Sequence, residues 1–113
     1  MELRDLTPDE DVVLLGLLRE VVTADGKYTD TEKRGVGRVR EALGEARFDA
    51  AMQTANLRFA APGALKEAAK TLTRQPARAA IFAVLSDVAA DDGMAESEMK
   101  PLNWLASWWD LAR

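Results

Sequence analysis

Cysteine and histidine are both missing from the 113 residues, and each absence removes a class of chemistry. Without Cys there is no disulfide framework, no thiolate nucleophile and no sulfur ligand for zinc or an iron–sulfur cluster. Without His the commonest general base and the commonest transition-metal ligand are gone, which excludes Ser-His-Asp and Cys-His triads. What remains is carboxylates, amines, guanidinium groups, hydroxyls and one tyrosine. Any metal these groups hold has to be a hard, oxygen-loving ion such as Ca²⁺ or Mg²⁺. Long apolar runs are also missing. The longest, Val12 to Leu18, is seven residues, against the roughly 20 that cross a bilayer. The segment before it is acidic where a secretory signal would be basic, and no Asn-x-Ser/Thr acceptor occurs, so the chain is expected to be cytoplasmic. There is no Gly-rich phosphate loop and no Walker pattern.

The length fits one domain, residues 1–113, able to bury a core without staples. The net charge of −4 conceals a segregation. Residues 1–32 carry nine acids and three bases, residues 33–86 ten bases and four acids, and residues 87–113 six acids and two bases. A basic middle raises the question of nucleic acid. Its bases are spread over several predicted helices with few rings among them, and no nucleic-acid motif occurs, so no nucleic-acid partner is expected. Solvated helix faces that pair with the acidic ends account for it.

Helical periodicity runs through the whole chain with no strand alternation. Thr7-Pro8-Asp9-Glu10 is a capping box with proline at the first helical position, predicting a helix from Pro8 to about Ala24. Its apolar residues cover more than half the circumference, which makes it the central helix. Thr29-Asp30-Thr31-Glu32 is a second capping box and opens a helix with the stripe Val36, Val39 and Leu43, ending at Gly44. Gly35 and Gly37 within it are expected to permit close packing against a neighbour. Further helices pass through Phe48 to Phe59, through Leu65 to Leu72, and from Pro76 through Val88, the last apolar nearly all round. A final one begins near Ala95 or Glu96. The expectation is an all-α compact bundle of about six helices.

An internal repeat relates the two ends: an apolar helix, an Asp-Gly, an acid-rich turn, then an amphipathic helix. It occurs at residues 21–39 and again at 88–105, within units of about 8–44 and 76–112 joined by linking helices at about 45–75. The bundle is thus expected to be built from two helix-turn-helix repeats. Asp25, Asp91 and Asp92 sit at helix C-termini, where an acid is disfavoured by roughly 0.3–1 kcal/mol. Glu32 and Glu98 fall in the first turn of the next helix, where an acid is favoured, and the glycine lets the two groups approach. Clustered carboxylates beside helix-end carbonyls are the ligand set of a hard cation. The alternative is that Asp25 and Asp92 accept turn amides and Glu32 completes its capping box. An EF-hand fails on position: with Gly26 as the loop glycine, Val21 and Thr23 stand where acidic or amide oxygens are needed.

Ala24-Asp25-Gly26 with Tyr28 and Glu32, repeated 67 residues later at Asp92-Gly93 and Glu98, resembles the tellurite-resistance TerB-like domain family of all-helical bacterial domains. The resemblance runs from about Glu10 to Leu111. It implies a non-enzymatic module in a bacterial stress-response or tellurite-response assembly. It also implies divalent metal, Ca²⁺ or Mg²⁺, on Asp25 and Glu32 of the first motif and Asp92 and Glu98 of the second. In the second copy Glu98 lies five residues after Gly93 rather than six, so Asp91 or Glu96 are substitute ligands there; Asp30 is a further one in the first. A chain without thiols or imidazoles has no group to ligate a soft oxyanion, so any part in tellurite resistance is indirect.

In the last predicted helix, Met99, Leu102, Ala106 and Trp109 form one stripe, while Trp104, Trp108 and Leu111 form another roughly opposite. The second stripe is either covered by the fold or serves a partner helix, a homodimer or a membrane-associated complex. Three functions are therefore weighed: the cation-binding TerB-like module, a metal-free scaffold using the Trp104/Trp108 face, and a metal-dependent hydrolase on the same carboxylates. The first is expected, with no catalytic residues.

Overall fold

The computed structural model describes residues 3–23, 30–61, 63–91, 102–103 and 105–109. A 3-10 turn at Leu3–Asp5 precedes five α-helices: α1 (Pro8–Thr23), α2 (Asp30–Leu43), α3 (Glu45–Arg58), α4 (Ala64–Thr71) and α5 (Gln75–Asp91). Residues 102–103 and 105–108 are helical too, and no strand occurs among the described residues. No described helix is long and apolar enough to cross a membrane.

The capping box at the start of α1 forms as its spacing predicts. The Glu10 amide donates to Thr7 Oγ1 at 3.2 Å, and the Thr7 amide donates to Glu10 Oε1 at 2.8 Å. Two of the amides that a helix start leaves unpaired are thereby satisfied. Val12, Val13, Leu14, Leu15, Leu17, Leu18, Val21 and Val22 are all buried, so α1 is the central helix. It packs mainly against α3, α5 and α4, while α2 packs against α5, α3 and the 3-10 turn. Each helix of the first sequence unit therefore takes its main partners from outside that unit.

Glycine decides two of these contacts. A Cβ on Gly16 would lie 2.6 Å from Phe59 Cδ2 and 2.8 Å from Leu65 Cδ1, so α1 approaches the α3–α4 corner only because that residue has no side chain. A Cβ on Gly35 would lie 3.1 Å from Val88 Cγ1, so α2 meets α5 closely there, as expected. Gly37 corrects the same expectation: nothing lies within 4 Å of its Cβ position, because it falls on the exposed face of α2.

The expectation for α5 also needs correction. It starts at Gln75, one residue before Pro76. It buries a single stripe, Ala77, Ile81, Leu85 and Val88, while Ala79, Ala83 and Asp87 are exposed. Small alanines on the outer face made the helix read as apolar all round, but an exposed methyl group costs little.

The terminal segment docks through Leu102, Leu105, Ala106 and Trp109, all buried. The Trp109 indole Nε1 donates to the Ala69 carbonyl at 2.9 Å. That carbonyl lies in the last turn of α4 and otherwise accepts only a long bond, 3.4 Å, from the C-cap amide of Leu72, so the indole reinforces the helix end.

Candidate functional site

The first acidic turn runs from the end of α1 at Thr23 to the start of α2 at Asp30, and the second leaves α5 after Asp91. Asp25, Asp92, Glu96 and Glu98 lie outside the described residues, as do Trp104 and Leu111; the side chains of Asp30, Glu32 and Asp91 lie outside them too. The described backbone nevertheless relates the two turns. Gly35 is five residues into α2 from Asp30, about 7.5 Å along the axis at 1.5 Å per residue, and Val88 is about 4.5 Å from Asp91 on the same rise. The Gly35–Val88 contact thus lies within about one and a half helical turns of the start of α2 and within one turn of the end of α5. Among the described residues no three acidic side chains are grouped as a metal ligand set.

Of the aromatic stripe, Trp108 is described and is 37% exposed. The Lys70 ammonium lies 4.4 Å from its ring centroid, in the range of a cation–π contact. Trp109 next to it faces the core, as the helical spacing predicts.

A polar cluster that sequence reasoning missed lies at the start of α1. Glu10 and Asp11 are 4% and 3% exposed, the described charged residues that the fold buries. Arg47, from α3, donates through Nε to Asp11 Oδ2 at 2.5 Å and through Nη2 to Oδ1 at 2.9 Å, a bidentate pair. The hydrogen bond from Arg47 to Asp11 raises the guanidinium pKa above its ordinary value, with partial burial opposing it. Arg74, between α4 and α5, pairs with Glu10 Oε2 at 3.1 Å. Both arginines also reach the backbone of the N-terminal turn. Arg47 Nη1 donates to the Arg4 carbonyl at 2.9 Å and Nη2 to the Leu6 carbonyl at 2.6 Å; Arg74 Nη2 donates to the Asp5 carbonyl at 3.4 Å. The charge segregation foretold that the basic middle would pair with the acidic N-terminal segment, and Arg58 to Asp9 at 3.3 Å is a further instance. Nothing in the residue spacing singled out Arg47 among ten bases.

Elsewhere, Leu3 helps line a groove between α2 and α5, together with Gly35, Val39, Ala42, Val84 and Val88, with Arg38 and Asp87 also on its wall. About 210 Å³ of space remains in it.

Comparison of the chain with protein-family models, with curated proteins and with solved structures finds no match.

Proposed function

We propose that the protein is a non-enzymatic helical module, similar to the TerB-like domains, whose two acidic Asp-Gly turns take up a divalent cation within a bacterial stress-response assembly. The observation that supports this reading is the Gly35–Val88 contact. Two turns rich in carboxylates leave their helices within one or two helical turns of that point, and uncompensated like charges so placed repel one another. A hard cation removes the repulsion, and Ca²⁺ and Mg²⁺ accept the carboxylate oxygens in which both turns are rich. Asp25 and Glu32 would hold it in the first turn, and Asp92 and Glu98 in the second, with Asp30, Asp91 and Glu96 in support.

Calorimetric titration of metal-free protein with Ca²⁺, Mg²⁺, Mn²⁺ and Zn²⁺ tests the reading, repeated on Asp25→Asn and Glu32→Gln. Saturable binding of Ca²⁺ or Mg²⁺ that weakens at least about tenfold in each variant is expected, since each loses one charged ligand worth more than about 1.4 kcal/mol. Absence of binding at millimolar ion overturns it.

The exposure of Trp108 favours a second reading, a metal-free scaffold that meets a partner protein through its tryptophan face. Under that reading Trp108→Ala abolishes partner capture, while Asp25→Asn leaves it unchanged.

A further inference from the structure

We draw no further inference here: the strongest candidate, the pocket that Arg19, Glu20, Phe59 and Lys66 line at the start of α4, rests on a helix N-terminus, and nothing else among the described residues points to a ligand there.

Discussion

Arg47 on α3 grips Asp11 on α1 through two hydrogen bonds, at 2.5 and 2.9 Å, while its remaining donor capacity fastens the backbone before α1. One side chain thus joins three parts of the chain. Asp11 is 5% exposed at its side chain and Arg47 32%, so the acid depends on the base more than the base on the acid.

Arg47→Met should therefore destabilise the protein by about 2–3 kcal/mol, less than the 3–5 of a fully buried pair because the arginine reaches solvent. Asp11→Asn should cost less, and the double variant should cost less than the sum. Urea unfolding of the four proteins measures this coupling directly.

The same pair fixes a pH expectation. The guanidinium pKa is raised on folding, so its contribution is complete below the ordinary arginine value and is lost only as pH rises through the folded value, in strongly alkaline solution. Between pH 6 and 9 the difference in stability between the native chain and Arg47→Met should stay constant within error, as read from melts across that range.

Glycine substitutions in two helices should have opposite signs. Gly37→Ala, on an open face of α2, should stabilise by about 0.5–1 kcal/mol, since alanine costs less backbone entropy in a helix. Gly16→Ala should destabilise by about 1–3 kcal/mol, because the added methyl meets Phe59 and Leu65 in a filled core. Thermal melts of the two variants decide the matter.

Trp109→Phe should cost about 1–2 kcal/mol by leaving the Ala69 carbonyl short of its indole donor. Trp109→Ala should cost about 3–5 kcal/mol through the cavity it opens. Hydrogen exchange should quicken in α4, the eight-residue helix whose end the indole reinforces.

Much of the helix layout is legible in the chain because it depends on local signals. The Thr7/Glu10 capping box is a contact between residues three apart, and it forms wherever the rest of the protein lies. The density of apolar residues on α1 announced its central position for a related reason: a helix apolar over more than half its circumference is stable only when surrounded by others. Trp109 lay on the predicted inward stripe. The acidic turns were equally visible as a repeat, although a repeat in composition does not state which helices pack together.

The remainder was decided by distances across the chain that no spacing encodes. Gly35 and Gly37 are indistinguishable in sequence, yet one meets Val88 and the other meets open space, because the rotation of α2 against α5 is set by the sum of its packing contacts. Arg47 was one base among ten until α3 came to lie beside the first turn of α1, where a buried carboxylate made it indispensable. Sequence alone determined that this protein is helical, that α1 begins at Pro8, and that thiol and imidazole chemistry is absent, since those follow from local propensity and composition. Tertiary structure alone decided which charges are buried in partnership and which groove Leu3 comes to line, since burial is a property of neighbours distant in the chain.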